Sequence, residues 1–235
     1  TFDSNSNKVV IAYQDRGNSF YGTSVIGTVS GNSISFGTPV VFESATTQHI
    51  SATFDSASNK VVIAYRDNGN SNYGTAIVGT VSNTSISFGS PVVFESATTF
   101  SISATFDSNS NKVVVAYSDV GNQDRGTAVV GTVSGTNISF GSAVVFETDT
   151  AGSISSTFDS DSNKVVISYK DSGNSDYGTA IVGTVSGTGI SFGSAVVFSN
   201  KTTALTSSTF DNSSNKVIVA YKDGGNSDRG TAIVG

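Results

Sequence analysis

From Ser101 to Asp107 the chain reads Ser-Ile-Ser-Ala-Thr-Phe-Asp, apolar residues alternating with small or polar ones, which is the period of a half-buried β-strand. The next run, Asn111 to Tyr117, is Asn-Lys-Val-Val-Val-Ala-Tyr, rich in the β-branched and aromatic residues that fit a pleated surface. Between them, Asp107-Ser-Asn-Ser-Asn-Lys112 is a cluster of turn formers and predicts a tight hairpin. A third strand is expected over Gly126 to Val133, turning at Ser134-Gly135-Thr136 into a fourth, Ile138 to Phe146, bent near Gly141. No segment carries a period of 3.6 over a helical length, so helical repeats are excluded. The unit is four antiparallel strands.

That unit recurs. Thr-Phe-Asp begins at Thr1, Thr53, Thr105, Thr157 and Thr209, always 52 residues apart. The units are therefore 1–52, 53–104, 105–156, 157–208 and a partial 209–235. A period near 50 residues with four strands per unit indicates a propeller, and 52 residues is long for one coil of a β-helix. A lone unit exposes both faces. Burial of its Val, Ile and Phe against a neighbour, roughly 1.5–3 kcal/mol for each side chain fully covered, requires the copies to pack in a ring. The expected fold is all-β: one β-propeller domain over 1–235, five blades, the last incomplete. Ser-Ile-Ser-Ala-Thr should be the innermost strand, since only small side chains fit near an axis. Ile-Ser-Phe-Gly should be the outer one, and Glu-Ser-Ala-Thr-Thr the loop to the next blade. The fifth blade should lack its outer strand and leave an open edge.

Charge narrows the partners. The net charge of −6 and pI near 4.5 argue against nucleic acid and anionic lipid, which select clustered Lys and Arg. No apolar run approaches the roughly 20 residues needed to span a bilayer as a helix, so no membrane insertion is expected. The chain has no Cys, which excludes disulfides and thiolate metal sites, and no Met, which suggests a piece of something longer.

Stacking the copies gives the pattern Tyr-x-Asp-x-Gly-Asn. Asp15, Asp67, Asp119, Asp171 and Asp223 are expected to accept backbone N–H bonds in a tight turn. Each is followed by a Gly of positive φ and then by Asn18, Asn70, Asn122, Asn174 or Asn226. A second carboxylate in three of these loops makes calcium the one metal to consider, at the pairs Asp119 and Asp124, Asp171 and Asp176, and Asp223 and Asp228. No other cofactor is indicated. One position later comes the candidate ligand-binding column: Tyr21, Tyr73, Arg125, Tyr177 and Arg229, residue types enriched at binding surfaces. The single histidine, His49, falls in the expected inter-blade loop with no triad partner near it in sequence. Every candidate acid recurs in similar surroundings, whereas catalysis needs a unique asymmetric set, so an enzyme is not expected. A glycoside hydrolase is the third and weakest reading.

The stretches Phe106 to Tyr117 and Gly178 to Gly187 resemble propeller-type repeats of marine bacteriophage structural and tail-associated proteins and related environmental sequences. The resemblance covers the whole chain and implies virion architecture or host attachment, at an extracellular or virion-associated location. The leading expectation is a non-enzymatic binding or attachment module that recognises a cell-surface glycan or polymer through repeated blade loops. The alternative is a purely structural repeat module whose partners are neighbouring structural chains.

Overall fold

The computed structural model describes all residues, Thr1–Gly235. It is all-β and antiparallel, with five short 3₁₀ turns as its only helical segments, and its sheet does not close on itself. The first unit contributes β1 (Phe2–Asp3), β2 (Lys8–Asp15), β3 (Tyr21–Ser30) and β4 (Ser33–Phe36). A long strand, β5 (Val40–Asp55), then leads into the second unit's β6 (Lys60–Asp67), β7 (Tyr73–Ser82) and β8 (Ser85–Phe88). The same order repeats as β9 (Val92–Asp107), β10 (Lys112–Asp119), β11 (Arg125–Ser134) and β12 (Asn137–Phe140). It repeats again as β13 (Val144–Asp159), β14 (Lys164–Asp171), β15 (Tyr177–Ser186) and β16 (Gly189–Phe192). The last unit holds β17 (Val196–Asp211), β18 (Lys216–Asp223) and β19 (Arg229–Val234).

The 16-residue strands differ from the sequence expectation. No loop separates successive units. The first half of β9 pairs with β7, Thr75 opposite Val93 and Ala76 opposite Val92, and its second half pairs with β10, Thr105 opposite Val114. One strand is thus outermost in one unit and innermost in the next. The switch occurs at a bulge where His49, Ser101, Ser153 and Leu205 take left-handed φ values of 48–53°. Glu-Ser-Ala-Thr-Thr reads as a loop because it is polar, yet its backbone remains in a ladder that changes partners.

Turn chemistry sets the hairpins. Asp107 Oδ1 accepts from Asn109 N (2.9 Å) and Ser110 N (3.0 Å), and its Oδ2 accepts from Ser110 Oγ (2.7 Å). Asp3, Asp55 and Asp159 hold their turns in the same way. The turn into the outer strand is left-handed at Gly31, Asn83, Gly135 and Gly187, as the Gly and Asn there require.

Packing is face to face between successive units. Val10, Ile26 and Phe42 of the first meet Val61, Ile63, Tyr65, Ile77 and Ile86 of the second. The second and third units share Val62, Ala64, Val78, Val113, Val115 and Tyr117, and the third and fourth share Val114, Val130, Phe146, Val165, Ile167 and Tyr169. Inner strands are stitched by serines, as the expected small inner residues allow: Ser51 Oγ accepts from Ala104 N (2.9 Å), and Ser103 Oγ from Ser156 N (2.9 Å). The outer units are less covered. Val61 to Tyr65 are fully buried, whereas the equivalent Ile11 of the first unit is 38 % exposed.

Candidate functional site

The Tyr-x-Asp-x-Gly-Asn segment ends the second strand of each unit and forms a 3₁₀ turn, for example Asn68–Asn70 after Asp67. Asp67 Oδ1 accepts from Gly69 N (2.9 Å) and Asn70 N (3.2 Å). Asp15 and Asp223 accept from Gly17 N and Gly225 N, and Asp171 from Asn174 N. Asp119 has the same position with its Oδ1 outside hydrogen-bond geometry, while Asn122 Oδ1 accepts from Arg125 Nη1 (3.3 Å). Asn18 and Asn226 are the last residues of the corresponding 3₁₀ turns.

Two features of this turn depart from expectation. Its glycine does not have positive φ; it makes room for the neighbouring unit. A Cβ on Gly69 would strike Ala45, one on Gly121 would lie 2.6 Å from Ala97 Cβ, and Gly173 abuts Asp149. The left-handed residues are the two after the turn, among them Asn72, Asp124, Asp176 and Asp228 with φ of 59–62°. Asn and Asp tolerate that conformation best, which explains the second acidic column by backbone geometry. Two of its side chains pair with lysines. Asp176 Oδ1 lies 3.0 Å from Lys170 Nζ and accepts from Ser172 Oγ (2.9 Å), and Asp228 lies 3.2 Å from Lys222 Nζ. Nowhere do three His, Asp or Glu side chains gather as a metal cluster.

The tyrosine of the motif is an inter-unit brace that the sequence did not disclose. Tyr65 OH donates to Glu43 Oε2 (3.2 Å), Tyr117 OH to Glu95 (3.0 Å) and Tyr169 OH to Glu147 (2.9 Å), each Glu lying on the preceding unit's long strand. The ring also packs on the Phe before that Glu, at 5.2 Å for Phe42 and Phe94. Burial, then the neighbouring Asp67 or Asp119, pushes the carboxyls of Glu43 and Glu95 above the usual carboxylate range. Burial also raises the three phenols, which stay protonated and donating.

Tyr21, Tyr73, Arg125, Tyr177 and Arg229 open the third strands, each directly opposite the turn aspartate, as Asp67 is opposite Tyr73 and Asp119 opposite Arg125. They therefore stand at one repeated station, the first four half-buried and Arg229 exposed. Arg125 Nε donates to Thr148 O (3.0 Å). None of the five lines a cavity.

Two other surfaces were missed from sequence. An open cavity of about 400 Å³, within the size range of small-molecule sites, is lined by residues of all five units. Thr1, Thr53, Thr105, Thr157 and Thr209 reach it, with the following Phe2, Phe54, Phe106, Phe158 and Phe210 and the turn residues Ser56, Ser108, Ser160 and Asn212. The signal was present as the most regular motif in the chain, Thr-Phe-Asp. The second surface breaks the repetition. His49 is an exposed residue of β5, edge-on to Phe100 (5.3 Å), and Arg66 lies 4.7 Å from the Phe100 ring centre. Burial and the Arg66 charge hold the His49 imidazole below its usual range, and no carboxylate orients it.

These observations define an all-antiparallel β-repeat protein whose units share one cavity and present one turn each. No protein-family model matches the sequence, and no curated protein is similar to it. Among solved structures, the crystal structure of AofleA from Arthrobotrys oligospora is similar, with a TM-score of 0.65 at 10 % identity over 97 % of this chain. The likeness is one of fold, and the chain spans 65 % of the AofleA chain.

Proposed function

We propose that each 52-residue unit is one blade of a five-bladed propeller, and that the chain is a non-enzymatic binding module for a cell-surface glycan or polymer. The observation that carries this reading is the station opened by Tyr21, Tyr73, Arg125, Tyr177 and Arg229, repeated in one register beside one Asp-capped turn. Aromatic and guanidinium groups next to Asp and Asn supply the apolar platform and directional polar contacts that hydroxyl-rich ligands need. Several weak equivalent sites gain strength by multivalency. The cavity ringed by threonine and phenylalanine adds a hydroxyl-bearing surface on the shared axis. An extracellular or virion-associated location is a subordinate element of the proposal.

The test is binding to an array of glycans and bacterial polysaccharides, with calcium and again with chelator, for the parent chain and for Tyr73→Ala with Arg125→Ala. Saturable binding lost in the double variant is the expected result. Binding that survives it but disappears in Thr53→Val with Thr105→Val moves the site to the axial cavity. No binding by a folded sample overturns the reading in favour of a structural repeat module contacting neighbouring chains. That second reading rests on the uncovered faces of the outer units.

A further inference from the structure

The position before the turn aspartate is held in successive units by Gln14, Arg66, Ser118, Lys170 and Lys222. Where it carries a cation, the residue six places on decides whether that charge is matched. Lys170 Nζ lies 3.0 Å from Asp176 and Lys222 Nζ 3.2 Å from Asp228, both carboxylates standing at left-handed residues after the turn. In the second unit that place belongs to Asn72, with φ 62°, and no carboxylate lies within salt-bridge distance of Arg66. The guanidinium is held all the same. Its Nε donates to Asn68 Oδ1 (3.1 Å) and its central carbon lies 4.7 Å from the centre of the Phe100 ring, which leaves both terminal nitrogens without a protein acceptor. Burial, uncompensated by any acid, holds Arg66 below its ordinary range. The Phe100 ring is 37 % exposed, and its counterpart on the following long strand is Gly152, which has no side chain to lay against it. Gln48, directly opposite Arg66 in the ladder and so on the same face of the sheet, has a buried Oε1 that accepts no hydrogen bond.

We propose that Arg66 and Phe100 form a site for a carboxylate-bearing sugar, a uronic acid. Two free N–H edges in a fixed plane match the two oxygens of a carboxylate, which a lysine at the same place would not do. The aromatic ring takes the apolar C–H face of a pyranose, and the Gln48 amide offers an unmet acceptor to a hydroxyl. The carboxylate follows from the unmatched charge alone, whereas the sugar ring rests on the glycan reading given above. A net charge of −6 disfavours a densely charged polyanion, so the ligand carries its carboxylate on an otherwise neutral scaffold. The site is built from β5, β6, the turn after β6 and β9, where the copies of the repeat diverge.

The probe is D-glucuronate, titrated into the full isotope-labelled chain and read by NMR at the Arg66 Nε–H resonance, beside D-glucuronamide, D-glucose and acetate. A saturable shift with glucuronate is expected, about tenfold or more weaker with glucuronamide, which keeps the ring and loses the charge. Asn72→Asp supplies the missing carboxylate and should weaken glucuronate binding about tenfold or more with the fold intact, because Asp124, Asp176 and Asp228 already adopt this φ. Phe100→Ala should weaken glucuronate binding as well. Equal binding of glucuronate and glucuronamide, or glucuronate binding unmoved by Asn72→Asp, overturns the proposal. So does acetate binding as tightly as glucuronate, which would leave a bare anion site. Glycan binding on the array by a chain that ignores glucuronate overturns this proposal and leaves the Tyr73 and Arg125 stations in place, whereas no binding in either experiment defeats the glycan reading too.

Discussion

Tyr65, Tyr117 and Tyr169 join packing to polarity at single atoms: each ring covers a phenylalanine of the preceding unit and each hydroxyl satisfies a half-buried glutamate. Glu43 and Glu95 are held above the usual carboxylate range by burial and then by a neighbouring aspartate, so the folded state favours their protonated form. Their contribution is complete below the ordinary carboxylate pKa and is lost as pH rises through the elevated folded values. Asp159 and Asp211 act oppositely, since hydrogen bonds from their turns lower them, and their contribution is lost on acidification. Replacing Glu43 and Glu95 together by Gln should therefore raise the melting temperature at pH about 7 relative to the parent and narrow that gain at pH about 4. Thermal melts at the two pH values check this; an equal effect at both contradicts it. The Tyr column is readable in the sequence, but its role is not, because Tyr and Glu lie 22 residues apart in different units.

At the scale of the element, the long strand carries the architecture. It pairs outward with one unit and inward with the next, and the bulge residue between takes left-handed φ at a cost that glycine avoids. Leu205 is such a residue, 76 % exposed with φ 53°. Leu205→Gly should be neutral or stabilising by up to about 1 kcal/mol, since little burial is lost and the backbone strain is relieved. Urea unfolding measures it, and a loss of more than about 1 kcal/mol would show that Leu205 packs in a way its exposure denies. The hairpins were legible because period-two alternation and Asp-Ser-Asn turns are local signals, as at Ser101–Tyr117. The strand switch was not, because the polar run Glu95 to Thr99 has the composition of a loop and keeps its ladder only through partners in two different units.

For the whole molecule, units touch chiefly their neighbours, so stability follows the number of covered faces. The third unit has both faces in buried clusters, the first has one, and the fifth contributes to none. Amide hydrogen exchange should accordingly be slowest in β10 and β11 and fastest in β2, β18 and β19; uniform protection would mean that the outer faces are covered in solution. The 52-residue period and the face-to-face packing are plain in the sequence, whereas the shared cavity is not, since no single copy of Thr-Phe-Asp shows that five of them meet. The claim that repeated Tyr and Arg stations act together is tested most directly by measuring binding to immobilised glycan at high and low surface density. The account predicts much tighter apparent binding at high density, lost when Tyr73 and Arg125 are replaced together. Density-independent binding, or none by the folded chain, would contradict it.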